Sequence, residues 1–306
     1  MSFKTEVLTH MGDYKRDILS IEENGKWWIN KKENRYVTHD HILPVIDNEN
    51  LRQQYSENNV RKLNLLSTYR NTCWAYLKKE RIKLHRFYHH LNSSQSMCVN
   101  FFYPFVVNDL LKNCIISVIQ SQCLEKIAIE TPNLMKIKFE YESELDKYNG
   151  QYPTNFDLCI SDASVKLLFE VKYTEDGFGR IDKQKKATYE EKYTKLYKQL
   201  ASKVIAKKWN TCENFLENYQ LMRNLVHIDD STYLIFLYPK FNATVNNQAN
   251  KAREFVKPEY QDKLICLTWE TLYNQTIDEV RKIDTIGSEL KQNFIEFKDK
   301  YLFWMK

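Results

Sequence analysis

The chain has 306 residues, of which 43% are hydrophobic, 14% are aromatic and 28% are charged. This composition excludes an intrinsically disordered chain, because enough apolar side chains are present to bury a core, and no run of eighteen apolar residues occurs that would cross a membrane. The 45 basic and 40 acidic residues give a formal charge of +5, which permits a polyanionic partner without demonstrating one.

The cysteines and the N-terminal segment indicate the compartment. Seven cysteines are scattered along the chain, mostly within apolar stretches, and no CxxC pair occurs. They are typical of reduced core thiols, and their spacing does not indicate a structural zinc site. The N-terminal segment is polar and lacks the apolar stretch of a signal peptide. We therefore expect a cytoplasmic protein with no membrane association.

The first elements can be predicted from the pattern of apolar residues. Residues 1–90 are rich in charged, aromatic and histidine residues and have only short apolar runs, which favours an N-terminal extension or lobe. Residues 100–126 keep apolar side chains at helical spacing and predict a helix, with Pro104 near its first turn. Residues 134–144 then alternate between apolar and charged side chains, which predicts a strand.

The second half of the chain alternates between strands and helices. Two strands are predicted over residues 155–160 and 165–173, and the polar link SDAS joins them as a hairpin. Helical patterns follow over residues 187–209 and 212–228. The apolar runs STYLIFLYP and KLICLTW are typical of buried strands, and the chain ends in one or two helices. This order predicts an α/β fold with a mixed central β-sheet flanked by helices.

Three chemically active side chains are expected to meet on the predicted hairpin. Glu170 and Lys172 are two residues apart on one strand, so they project from the same face. If the two central residues of SDAS form the turn, Asp157 lies across from Leu168 and diagonal to Glu170 on that face. A slip of one residue would turn Asp157 to the opposite face, so the convergence depends on the register.

Two carboxylates and a lysine on one face suit metal-assisted phosphodiester hydrolysis. A hard divalent cation such as Mg²⁺ or Mn²⁺ takes oxygen ligands, which Asp157 and Glu170 would supply together with the main-chain carbonyl of Val171. The cation would polarise the phosphate and lower the pKa of its bound water. Lys172 would position and deprotonate that water, or neutralise the developing charge. The alternative is an ion-pair cluster on a solvated face, which would contribute little to stability.

The spacing of these residues resembles a known nuclease signature. Asp157, followed after thirteen positions by Glu170 and then by Lys172, in the segments NFDLCI and FEVKY, resembles the motif of the PD-(D/E)XK nuclease superfamily. Phe156 stands where that superfamily usually has a proline. Three segments further resemble a bacterial group of proteins of this superfamily: residues 93–102, 169–179 and 218–224.

The resemblance implies a restriction-endonuclease-like core, magnesium dependence and a nucleic-acid substrate. We place an N-terminal extension at residues 1–90 and the nuclease-like domain at residues 91–306. A fourth acidic residue is common in the superfamily, and Glu142 is the candidate for this further metal ligand, with Glu140 and Asp109 behind it.

Three helix residues are candidates for binding substrate. Gln199 lies where nucleases of this superfamily often have a glutamine near the metal. Gln220 and Arg223 share one face of a predicted helix, where an arginine can bind a phosphate. The alternatives are a surface glutamine in the first case and a hydrogen-bonding cluster at a helix end in the second.

The sequence thus predicts an endonuclease that hydrolyses phosphodiester bonds in DNA with Mg²⁺ or Mn²⁺. The resemblance implies a setting in bacterial restriction or phage defence. An alternative of a different class is a catalytically inactive nuclease-fold protein that binds nucleic acid or a protein partner. DNA is the expected partner. A homodimer is possible, because cutting both strands of DNA needs two active centres or two passes. A partner protein of a defence system is possible as well.

Overall fold

The computed structural model describes residues 1–30, 33–44, 60–123, 127, 129, 134–148, 152–283 and 287–305. The chain forms two compact units, residues 1–104 together with 283–306, and residues 105–282. The extension over residues 1–90 and the nuclease-like domain over residues 91–306 stay predictions. The compact units group residues 91–104 and the C-terminal segment with the N-terminal residues.

The first unit contains helices and a small antiparallel sheet. Its elements are α1 (Phe3–Asp17), β1 (Gly25–Asn30), β2 (Arg35–His39), a 3₁₀ turn (Val60–Asn64), α2 (Arg70–Lys79), α3 (Ser94–Val107, whose last residues belong to the second unit) and the C-terminal helix (Ser288–Tyr301). Strands β1 and β2 pair with each other. Helix α1 begins after Ser2, whose hydroxyl accepts a hydrogen bond from the Thr5 amide at 3.2 Å and caps the helix.

A buried polar network holds the core of the first unit together. Asn100 on α3 accepts a hydrogen bond from the Leu66 amide at 2.9 Å, and it donates to the Asn64 carbonyl at 2.9 Å and to the Tyr301 hydroxyl at 2.8 Å. These side chains are almost fully buried, so loss of one bond would leave a polar atom without water. The segment 93–102, which carries part of the family resemblance, therefore contributes to this core.

The second unit is built on a five-stranded sheet. Its strands are β3 (Lys136–Glu142), β4 (Asn155–Ser161), β5 (Lys166–Val171), β6 (Thr232–Tyr238) and β7 (Leu264–Thr268). Its helices are α4 (Asp109–Gln120), α5 (Lys186–Lys192), α6 (Lys198–Val204), α7 (Cys212–Glu217), α8 (Tyr219–Leu225), α9 (Ala243–Phe255) and α10 (Trp269–Arg281). A π-helical segment (Tyr193–Tyr197) joins α5 to α6, and short 3₁₀ turns cover Lys183–Lys185, Lys207–Trp209 and Pro258–Lys263.

The sheet has the order β3-β4-β5-β6-β7, antiparallel from β3 to β5 and parallel from β5 to β7. Strand β6 is buried along its whole length, as its continuous apolar sequence predicts. Side chains of α6 to α9 pack with those of β4 to β7 in one apolar cluster, and α4 packs against α10. The predicted α/β fold, with a mixed central sheet flanked by helices, is confirmed.

Three predicted helices are divided in the structure. The pattern over residues 187–209 forms α5, the π-helical segment and α6, is interrupted at the extended Ile205, and ends in the 3₁₀ turn Lys207–Trp209. The pattern over residues 100–126 forms α3 and α4, which are separated at Asn108, and its last three residues lie outside the described part of the chain. Asn108 is extended (φ −135°, ψ 104°), and its side-chain oxygen caps α4 by accepting from the Leu110 amide at 3.1 Å. The pattern over residues 212–228 is likewise divided, at Asn218. None of the helices in the described residues is long and apolar enough to span a bilayer.

Candidate active site

The hairpin of β4 and β5 brings Asp157 and Glu170 together. Leu158 pairs with Phe169, so the next position outward places Asp157 opposite Glu170. The predicted pairing of Asp157 with Leu168 is therefore wrong by two residues. Because a shift of two keeps every side chain on its own face, the predicted convergence of the two carboxylates is retained.

The turn of the hairpin explains the difference in register. Ser161 pairs with Lys166, which leaves residues 162–165 as a four-residue loop in place of the predicted two-residue turn. The Asp162 carboxylate accepts hydrogen bonds from the amides of Ser164 and Val165, both at 2.8 Å. Such a bond from an aspartate to amides further along the chain stabilises a wider loop.

A buried ion pair joins Glu170 to Lys172. The Lys172 ammonium lies 2.6 Å from Glu170 Oε1, and the two side chains are 9% and 4% exposed respectively. On α8, Gln220 Nε2 donates to the same oxygen at 2.7 Å, and Asn224 Nδ2 donates to Oε2 at 3.0 Å. Burial alone would lower the pKa of Lys172, but the neighbouring carboxylates, Glu170 foremost, raise it above its ordinary value. The pair is thus charged, buried and hydrogen-bonded.

Asp157 is half-buried beside this pair. Its Oδ2 accepts a hydrogen bond from the Val171 amide at 2.7 Å. Burial raises the pKa of the Asp157 carboxyl well above its usual range, and the negative charges of Glu170 and Glu140 raise it further. A carboxylate whose charged form is disfavoured in this way is a favourable place for a cation, because the charge of the cation reverses the effect.

The pairing of β3 with β4 favours Glu140 over Glu142 as the next acidic neighbour of Asp157. The pairs on either side of Asp157 place Glu140 across from it, whereas Glu142 pairs with Asn155 at the end of the ladder and is exposed. Glu140 has a φ of 51°, which is rare for a residue with a side chain, and it interrupts the regular pairing. Asp109, the third candidate, lies on α4 outside the sheet.

The three predicted substrate-binding residues lie in different surroundings. Gln220 contacts the site directly, because its Oε1 is 3.3 Å from the Lys172 ammonium. Arg223 is mostly buried, and its guanidinium donates to Thr154 Oγ1 at 3.2 Å and lies 3.9 Å from the Asp146 carboxylate. Gln199 is exposed on α6, and no hydrogen bond within the described residues joins its side chain to the site. The roles of these three residues in substrate binding stay predictions.

The sequence did not reveal the loop that follows β5 as part of the site. Gly177 has a φ of +120°, a conformation that favours glycine. The Phe178 amide donates to Gln248 Oε1 at 2.7 Å, and the Gly179 amide donates to Gln220 Oε1 at 2.6 Å. Gln220 thereby joins this loop to Glu170. The two glycines were the available signal, but glycine-rich turns are common in loops without a function.

The donor atoms at this site suit a hard divalent cation. Asp157 and Glu170 could supply carboxylate oxygens, and Val171 its main-chain carbonyl, which are the ligand types that Mg²⁺ and Mn²⁺ prefer. The hydrogen bonds from Gln220 and Asn224 orient the Glu170 carboxylate, as the outer partners of metal ligands do. No group of three or more His, Cys, Asp or Glu side chains arranged to hold a metal occurs in the described residues. A cation here would therefore depend on two carboxylates, the main chain and water.

Comparison with known proteins shows the family. The chain matches the model of a family described as restriction endonuclease associating with ARP over residues 10–302, and it belongs to that family. Neither the curated proteins nor the solved structures gave a match. The family and the mixed sheet together establish a restriction-endonuclease-like protein, and the family description indicates a nuclease or defence role.

Proposed function

We propose that this protein is a metal-dependent endonuclease that hydrolyses phosphodiester bonds in DNA, with Mg²⁺ or Mn²⁺ as its cofactor. The observation that carries the proposal is the meeting of Asp157, Glu170 and Lys172 on adjoining strands, in a chain that belongs to a restriction endonuclease family. The order of these residues also supports the narrower assignment to the PD-(D/E)XK superfamily. Asp157 and Glu170 would hold the cation together with the carbonyl of Val171.

The residues of the chain would divide the remaining tasks. When bound, the cation polarises the phosphate and lowers the pKa of its water. Lys172 supplies a fixed positive charge, because Glu170 and Gln220 hold its ammonium from two sides. A fixed charge at this position stabilises the negative charge that develops on the phosphate during hydrolysis. Gln220 and Asn224 keep the Glu170 carboxylate in one orientation, which preserves the arrangement before substrate binds.

The biological setting is proposed from the family. Its description names a restriction endonuclease and an association with ARP. We extend both statements to this chain, and propose that it acts in the cytoplasm in restriction or phage defence, together with a partner protein or as a homodimer.

Cleavage of supercoiled plasmid tests the proposed activity. The purified chain is incubated with plasmid in Mg²⁺, in Mn²⁺ and in EDTA, and nicked and linear products are measured over time. Asp157→Asn is the most informative variant, because asparagine can still accept the hydrogen bond from the Val171 amide. We expect it to abolish cleavage while the fold, measured by circular dichroism, is retained. Glu254→Gln is the control, since Glu254 is exposed on α9 and lies outside the hairpin of β4 and β5.

The outcomes separate the candidate functions. Cleavage that depends on a divalent cation and disappears in Asp157→Asn supports the endonuclease. Unchanged cleavage in that variant would remove the site assignment. If DNA binds but is not cut under any metal condition, the chain is instead an inactive nuclease-fold protein. A parallel reaction with RNA of the same sequence decides between the two nucleic acids.

A further inference from the structure

A large cavity in the second unit lies beside the loop that follows β5. Its volume is about 980 Å³, which is at the upper end of the range found for ligand pockets. Phe178 and Leu221 contribute to its apolar lining. Four basic side chains also line it: Arg180, Lys183, Lys186 and Lys251. Three acidic side chains, Glu190, Glu213 and Glu217, line it as well, so the cavity combines an apolar surface with a small excess of basic side chains.

Three of the four basic side chains are available to a ligand. Arg180, Lys183 and Lys251 are exposed, and no ion pair within the described residues involves them. The fourth, Lys186, lies 3.5 Å from Glu190, which reduces its contribution. Like charges that share one cavity repel each other, and an anion bound between them relieves this repulsion.

The three acidic residues of the cavity come from α5, which carries Glu190, and from α7. Glu213 and Glu217 line it from α7, whereas Arg180 and Lys183 belong to the loop after β5 and Lys251 belongs to α9. The positive charge is thus concentrated on the loop and on α9. An extended anion that contacts Arg180, Lys183 and Lys251 would meet three cations, none of which forms an ion pair within the described residues.

The cavity lies next to the candidate active site, and the side chain of Phe178 is close to both. Phe178, which lines the cavity, has its ring centroid 5.5 Å from the Lys172 ammonium. The next residue, Gly179, is hydrogen-bonded to Gln220, and Gln220 is bonded to Glu170. A nucleic-acid strand bound in the cavity would therefore be separated from Lys172 by the side chain of Phe178.

We propose that this cavity binds the phosphate groups of the nucleic-acid strand next to the phosphodiester to be cut, through Arg180, Lys183 and Lys251. This inference rests on the proposed nuclease function and states how that site holds its substrate. Each phosphate of a DNA strand carries one negative charge, which an exposed Lys or Arg side chain can neutralise. Such contacts position the strand and do not read its sequence.

The test measures DNA binding without catalysis. A short labelled DNA duplex, and one of its strands alone, are titrated with protein in EDTA over a series of salt concentrations, and the dissociation constant is obtained from fluorescence anisotropy. The variant carries Arg180→Gln, Lys183→Gln and Lys251→Gln. The matched control carries Lys195→Gln, Lys198→Gln and Lys203→Gln, which removes the same charge from exposed residues of the same unit that do not line the cavity.

The cavity variant should lose affinity and salt dependence together. Each lost phosphate contact lowers the slope of log Kd against log salt by about 0.9 for a duplex and about 0.7 for a single strand. Three contacts therefore lower it by about 2 to 3, with affinity reduced about tenfold or more at low salt. The control variant should change the slope by less than about 1, because it alters only the long-range field. Circular dichroism checks that both variants are folded.

The outcomes distinguish this inference from the nuclease proposal. If the protein never cuts DNA but the cavity variant loses binding and slope, the nuclease function fails and the binding site stands. The inference is overturned if the unmodified protein does not bind DNA in EDTA. It is also overturned if the cavity variant changes affinity and slope no more than the control, whatever the cleavage result.

Discussion

Replacing Lys172 by methionine removes the ammonium that lies 2.6 Å from Glu170 and keeps much of the side-chain volume. The Glu170 carboxylate, 4% exposed, then depends on the amides of Gln220 and Asn224. Removing one partner of a buried ion pair costs about 3–5 kcal/mol, because the remaining charge is uncompensated and away from water. We expect Lys172→Met to lower the free energy of unfolding by this amount.

A double-mutant cycle shows whether the loss comes from the pair. Glu170→Gln alone should cost a similar amount, because it leaves the Lys172 ammonium buried without a counter-charge. Glu170→Gln combined with Lys172→Met removes both charges and should recover much of the loss. Urea unfolding, monitored by tryptophan fluorescence, gives the free energy of unfolding of each variant. These values can be compared if the slope of the free energy against urea concentration is the same in all variants. Single variants that each cost less than about 1 kcal/mol would refute the reasoning, since solvated pairs have that value.

Three further changes test other parts of the structure. Gly177→Ala should lower the free energy of unfolding by about 1–3 kcal/mol, because the φ of Gly177 is +120° and an added Cβ would lie 2.5 Å from Gln248 Oε1. Thermal unfolding measures the loss, and Gly287→Ala is the control, because a Cβ added at Gly287 has no atom within 4 Å. Asn100→Ala leaves the buried Leu66 amide without its partner and should cost about 1–3 kcal/mol in urea unfolding. Burial and neighbouring histidines lower the pKa of His90 from 6.5 to about 3, so the unfolded chain takes up the proton first as the pH falls. The free energy of unfolding should therefore decrease by about 2 kcal/mol as the pH falls from 6.5 to about 5. If His90→Phe shows the same decrease in urea unfolding over this pH range, His90 is not its source.

The sheet and the central residues of the site followed from local patterns. Alternation along residues 134–144 and the continuous apolar runs predicted β3, β6 and β7, because strand periodicity depends on neighbouring positions alone. The same periodicity placed Glu170 and Lys172 on one face. Asp157 reached that face although its predicted partner was wrong, because an error of two residues preserves the side.

The remaining parts of the site depend on contacts between distant segments. Glu140 lies across from Asp157 because of the pairing of β3 with β4. The sequence around Glu140 contains no signal that would favour it over Glu142 as the acidic neighbour of Asp157. Asn224 binds Glu170 across a separation of more than fifty residues. Arginine is a residue type that often binds phosphate, yet Arg223 lies in a buried cluster around Asp146. Propensity and periodicity do not contain this information, since it is set by tertiary packing.

The edge of the sheet at β3 has a consequence for self-association. Lys136 and Lys138 are exposed along this strand, and Glu140 interrupts its regular pairing with a positive φ. An edge strand that carries lysines and an irregularity resists the addition of a strand from another molecule, because charge and twist oppose a continuous ladder. Two copies of the chain joined through β3 are therefore disfavoured, as is polymerisation along this edge. A dimer of this protein would have to use a different surface.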